Sequence, residues 1–213
     1  MRNMWFRLIN ILVYRWGYYS FKIIYKVFFR MRVTGWRNVP RTGACILAAN
    51  HASFLDPPIV GTAAVRALHY FTRSSLMHHP LANALFHLWN CIPVDRDHPS
   101  PGTLKKAIQI LKEGHALVLF PEGTRSIDGT LQSGKMGIGF IAHKSQAPIV
   151  PVYIDGAFDI LPKKARWPRF RKLRVSIGPP VVLNDLYARK GCEAAYQAIS
   201  DRVMDLLRDL GAH

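Results

Sequence analysis

The sequence predicts a single α/β domain with a substantially parallel central sheet flanked by helices, preceded by an amphipathic helical segment. Length is the first observation, since 213 residues, 49% of them hydrophobic, suffice for one sizeable core and not for a second full domain. The second is that short apolar runs alternate with segments of helical periodicity, the pattern of strands joined by crossover helices. The third is a compositional break. Residues 1–32 hold seven basic side chains, no acidic one and a dense set of aromatics, which sets them apart from the domain at 33–213.

In that first segment Trp5, Phe6, Tyr14, Trp16, Tyr18, Tyr19, Phe21, Tyr25, Phe28 and Phe29 lie between the basic residues. A spanning helix needs about 20 largely uncharged residues, and the longest uncharged run here is only Leu8 to Tyr14. At helical spacing Arg15, Lys22, Lys26 and Arg30 share one face, and much of the remainder is aromatic or aliphatic. A helix lying in a membrane interface has this pattern, Trp and Tyr suiting the headgroup region. The alternative is a helix packed on its own domain with a solvated basic stripe.

The remaining elements follow in order. Gly35 and Pro40 punctuate a change to extended chain near 33–40. Buried strands are predicted over Ala44 to Ala49, Ala116 to Phe120, Ile149 to Ile154 and Leu173 to Ile177. Helices are predicted over Pro57 to Leu68, Leu81 to Trp89, Thr103 to Glu113, Lys135 to Ser145 and Glu193 to Leu210.

Charge narrows the partners. With 29 Lys and Arg against 13 Asp and Glu, the net charge of +16 calls for something anionic. No zinc-finger spacing, basic zipper or RNP-like strand points to nucleic acid. The positive charge collects in the aromatic first segment and in Lys163 to Arg174, which favours an anionic membrane surface. The second cluster suits anionic lipid, the phosphates of coenzyme A, an acidic carrier protein, or plain solvation. Cys45, Cys91 and Cys192 are odd in number and widely spaced, which argues for a reducing compartment and against structural zinc. No secretory signal is visible. The expected location is the cytoplasmic face of a membrane, peripheral or monotopic.

The segment Asn50-His51-Ala52-Ser53-Phe54-Leu55-Asp56 follows directly on a predicted strand, where open α/β sheets place their sites. In a continuous helix residues five apart diverge by about 140°, so His51 and Asp56 meet only if the chain turns. Pro57 and Pro58 favour such a turn. A carboxylate on one imidazole nitrogen leaves the other free as a base. Asp56 is equally suited to cap the following helix, and its two oxygens allow both roles.

A second strand opens into Phe120-Pro121-Glu122-Gly123-Thr124-Arg125-Ser126. Gly123 lets backbone amides approach an anion, and the Arg125 guanidinium can grip a phosphate bidentately. Glu122 suits a substrate hydroxyl or the orientation of Arg125. An ordinary turn with Pro121 second and Gly123 fourth is the plain alternative. Lys135, in Ser133-Gly134-Lys135-Met136-Gly137, either adds a second charge or begins a helix. Arg96, in Ile92-Pro93-Val94-Asp95-Arg96-Asp97, is a phosphate contact or an ion-pair partner of its neighbours.

Together with Ala147-Pro148-Ile149-Val150-Pro151-Val152, these segments resemble the glycerolipid acyltransferase family typified by 1-acylglycerol-3-phosphate acyltransferase. The signature N-H-x-x-x-x-D, an I-P-V-D-R-like block, F-P-E-G-T-R-S and a hydrophobic block occur here in that order. The first and third match fully, about 70 residues apart. Asn90-Cys91 stands where many members carry glycine, and Ser-Gly-Lys-Met-Gly where phenylalanine-lysine-glycine is commoner.

The resemblance implies that His51 is the general base and Asp56 its orienting partner. It implies that Arg96, Glu122, Gly123, Thr124 and Arg125 bind the glycerol phosphate, with Lys135 as a further phosphate ligand. It implies no metal and no cofactor, with acyl-CoA or acyl carrier protein as the acyl donor and a lysophospholipid as acceptor. Another lysolipid, such as a lyso-ornithine lipid, would use the same base. A non-catalytic binder of anionic membranes would need neither His51 nor Asp56.

Overall fold

The computed structural model describes the backbone of residues 2–95 and 101–212, and side chains from residue 15 onward. The chain begins with α1 (Arg2–Phe28), then β1 (Arg32–Thr34), β2 (Cys45–Ala49), α2 (Asp56–Ala63), β3 (Leu68–Arg73), α3 (Pro80–Leu88) and β4 (Cys91–Val94). It continues with α4 (Pro101–Lys112), β5 (Ala116–Leu119), α5 (Met136–Ser145), β6 (Ile149–Asp155), α6 (Ala157–Ile160), β7 (Arg174–Ile177), α7 (Asn184–Tyr187) and α8 (Glu193–Gly211). The strands form one sheet in the order β1-β7-β6-β2-β5-β3-β4. All neighbours pair in parallel except β6 and β7.

The two faces of the sheet are legible in single strands, because successive side chains point to opposite sides. In β2, Cys45, Leu47 and Ala49 join a core with Ile59, Val60 and Ala63 of α2 and with Tyr25 and Phe29 at the end of α1. Ile46 and Ala48 face the other core, made with Ile110 of α4, Ile141 of α5 and Ile199, Val203 and Leu207 of α8. β5 divides likewise, Val118 to the first core and Leu117 to the second. The central strands are therefore apolar throughout, as expected of a sheet covered on both faces.

Three strands depart from the sequence expectation. The helix expected over Pro57 to Leu68 ends at Ala63, and Leu68 opens β3. Between them Val65 adopts a left-handed backbone with φ 56°, a conformation rare for a β-branched residue and invisible to periodicity. β4 contains Pro93 and lies at the sheet edge, where a missing N–H costs no ladder bond. β1 is three residues long and pairs only with β7. The first segment is one continuous helix, and its last turn is built into the domain, Tyr25 and Phe29 being buried.

Candidate active site

Because β2 and β5 are adjacent and parallel, the loops leaving their carboxyl ends are neighbours. The pairing Ala48 with Leu119 has a 71-residue offset, and the same offset separates His51 from Glu122. The register thus delivers the two motifs to each other. Asn50 extends β2 with its side chain: its amide nitrogen donates to Ile154 O at 3.0 Å and its oxygen accepts from Ile154 N at 2.7 Å.

His51 comes next, and the chain turns. His51 Nδ1 lies 2.8 Å from Asp56 Oδ2, the two residues being 6% and 0% exposed. The same oxygen accepts from the amides of Ala52 and Ser53, each at 2.7 Å. Asp56 is the first residue of α2 and not the residue capping it. Its bonds run back to loop amides ahead of α2, so it holds the turn and the capping role expected of it is not taken up. Ser53 is pinned in turn, its hydroxyl donating to Leu161 O at 2.8 Å. The His51 ring stacks on Phe120, centroids 4.1 Å apart. Phe120 stands beside the second motif in sequence, but nothing in the pattern assigns it this role.

The loop after β5 holds the His51 backbone. Glu122 is 2% exposed, and its two oxygens accept from His51 N at 2.7 Å and Gln132 N at 3.1 Å. Burial pushes its pKa up, partly opposed by those two amides, while the nearby Asp56 charge adds to the rise. Glu122 is turned inward, and among the described residues it bonds these two amides and not Arg125, the side chain it was expected to orient. The reason is that two main-chain donors, far apart in sequence, converge on it.

The cation-bearing residues of this loop remain accessible. Gly123 N donates to Phe120 O at 3.0 Å, closing the turn, and Gly123 takes φ 69°. The Lys135 chain lies over Gly123, since a β-carbon there would sit 2.9 Å from Lys135 Cδ. Lys135 both precedes α5 and reaches this loop. The Arg125 guanidinium rests 5.1 Å from the Phe54 ring centroid, in the His51 loop. No carboxylate pairs with Arg125 among the described residues. Thr124 is half-buried beside it. Arg96 lies outside the described residues.

A cavity of about 730 Å³ opens where β6 ends and β7 begins, lined in part by Arg30, Asp155, Phe170, Arg171, Lys172 and Arg174. None of the predicted site residues lines it. No cluster of three or more His, Cys, Asp or Glu suited to a metal occurs among the described residues.

An acyltransferase family model matches residues 30–155, a span that includes His51, Asp56, Glu122, Arg125 and Lys135. The chain belongs to the acyltransferase family. This acyltransferase is 26% identical over 200 residues to the 1-acyl-sn-glycerol-3-phosphate acyltransferase of Bacillus subtilis, covering 91% of this chain and 96% of that one. It is 34% identical over 114 residues to the enzyme of that name from Limnanthes douglasii, 52% of this chain and 41% of the plant protein. The solved structure of the 1-acyl-sn-glycerophosphate acyltransferase PlsC from Thermotoga maritima superposes with a TM-score of 0.76 at 26% identity, covering 100% of this chain and 84% of that one.

Proposed function

We propose that this acyltransferase moves a fatty acyl group from an acyl thioester to the free hydroxyl of 1-acyl-sn-glycerol 3-phosphate, giving phosphatidic acid, with His51 as general base. The observation that carries the reading is the 2.8 Å pair of His51 Nδ1 and Asp56 Oδ2. Nδ1–H donating to Asp56 leaves Nε2 as acceptor. Nε2 takes the proton of the acceptor hydroxyl as its oxygen attacks the thioester carbonyl. Collapse of the tetrahedral intermediate expels the thiolate, which recovers the proton from the imidazolium, so the base is restored. Glu122 acts by fixing the His51 backbone, and Arg125 and Lys135 are the cations for the acceptor phosphate.

The relatives' names support this acceptor. So does the placement of Arg125, without an acidic partner among the described residues, on the loop facing His51. The donor is a coenzyme A or carrier-protein thioester, and no further cofactor enters the scheme.

An anionic membrane surface fits the outer face. Along α1, Arg15, Lys22 and Lys26 are exposed, as are Arg30 just beyond it and the apolar Trp16, Ile23, Val27 and Phe28. Phe170 meets Phe28 and Phe29, at 5.9 and 6.2 Å, continuing that surface into the exposed basic stretch Lys163 to Arg174. No helix among the described residues is long and apolar enough to cross a membrane.

The test is acyl transfer by purified protein in detergent, with both donor types against a panel of lysolipids. His51→Ala should lose two to four decades of kcat, about the usual contribution of a general base. Arg125→Ala should raise KM for lysophosphatidate and leave that for a phosphate-free acceptor unchanged. An unaltered KM for lysophosphatidate refutes the acceptor assignment.

A further inference from the structure

The Asp56 carboxylate is served unevenly. Its three donors converge on Oδ2, while Oδ1 is buried without a partner among the described residues. A second buried polar atom without a partner lies on the helix packed against α2: the hydroxyl of Tyr25, in α1, a residue 1% exposed. The Tyr25 ring is held at 5.9 Å by Phe21 and at 5.9 Å by Phe29, and it shares a core with Ile59 and Val60 of α2. Burial, and after it the charge of Asp56, pushes the phenol's pKa up, so it stays a neutral O–H donor. One group is a donor lacking an acceptor and the other an acceptor lacking a donor. Pairing them removes two unsatisfied buried atoms at once.

We propose that one buried water bridges the Tyr25 hydroxyl, as donor, to Asp56 Oδ1, so that Tyr25 acts as a positioning residue for the His51–Asp56 pair. A bridging water at a polar buried site of this kind is ordinary protein structure. This inference rests on the reading of His51 as general base. Its substance is that the end of α1 is wired to the reaction centre: Tyr25 fixes the free oxygen of the carboxylate that orients the imidazole. The other groups facing the pair are the Ala52 and Ser53 amides from the same loop and Glu122 from the loop after β5.

Tyr25→Phe keeps the ring and its packing and removes only the oxygen. The expected kcat falls about tenfold, the size of one hydrogen bond to a charged group, with both KM values held within about twofold. The acid limb of kcat/KM should move to higher pH, because a carboxylate that has lost a donor stabilises the facing imidazolium more strongly. Should Tyr25→Phe fold poorly, 3-fluorotyrosine placed at position 25 supplies a stronger donor of nearly the same shape and should move the limb to lower pH. A hydroxyl that matters only for packing would change Tm and leave kcat and the acid limb where they are, which overturns the proposal. If His51→Ala stays active, the general-base reading falls and this one with it. If His51→Ala is inactive while Tyr25→Phe matches the unmodified enzyme, this inference alone falls.

Discussion

The amide of His51 donates to Glu122 Oε1 at 2.7 Å, so the loop after β5 holds the backbone of the loop after β2. Glu122→Gln tests that relationship, because the new amide group faces a backbone donor it cannot accept from. One of the two bonds to His51 N and Gln132 N is lost. We expect kcat to drop about tenfold or more for a cost of about 1–2 kcal/mol in stability, read by kinetics and denaturant unfolding.

The same residue sets a pH dependence. The folded pKa of Glu122 is raised, chiefly by burial. Its contribution to stability is therefore fully present below the ordinary carboxylate range and lost as pH rises through the elevated folded value. Urea midpoints measured across the acid range should show this component in the unmodified enzyme and lose it in Glu122→Gln.

Gly123→Ala should cost about 1–2 kcal/mol, since alanine resists a left-handed backbone. Its methyl group would also push the Lys135 chain away. If Lys135 meets the acceptor phosphate, KM for lysophosphatidate rises and the donor KM does not, a split that steady-state kinetics with each substrate varied in turn resolves.

Asp128 anchors the turn beyond the Arg125 loop. Its carboxylate accepts from the Thr130 hydroxyl and amide and from Ser126 Oγ, and these bonds hold its pKa at about 2. Because the folded value is depressed, the turn should persist as pH falls through the usual carboxylate range and loosen only near the lower value. Carboxyl carbon NMR should give that midpoint, and Thr130→Ala should raise it.

Binding to vesicles should depend on both basic surfaces. Replacing Lys163, Lys164, Arg166 and Arg169 by glutamine should weaken binding to phosphatidylglycerol vesicles by up to about 1 kcal/mol per charge. Salt should weaken the unmodified protein's binding in the same way. Equal binding by the variant in co-sedimentation assays would exclude this stretch from the docking surface.

Much of this was legible because it was local or periodic. The four apolar strand runs at 44–49, 116–120, 149–154 and 173–177 all fall within a residue or so of strands in the structure. His51 and Asp56 could be paired because two prolines fix where the chain turns. β3 escaped because His69, Tyr70 and Arg73 break its apolar run, and β4 because of Pro93. In the site, Glu122 was seen but its direction was not, since its partners come from residues 51 and 132. Tyr25 was one aromatic among many in a segment whose composition spoke only of a surface. Convergence in space of atoms remote in sequence leaves no periodic trace.

Asn50 gives the site a property of its own. By bonding Ile154 with both ends of its amide, it continues the β2–β6 ladder one step past the main-chain strand. The residue before His51 is thereby an element of the sheet's interior. The Ile154 N–H should exchange with solvent as slowly as the central strands, and speed up selectively in Asn50→Ala, making one backbone proton a clock for the integrity of the loop that carries His51.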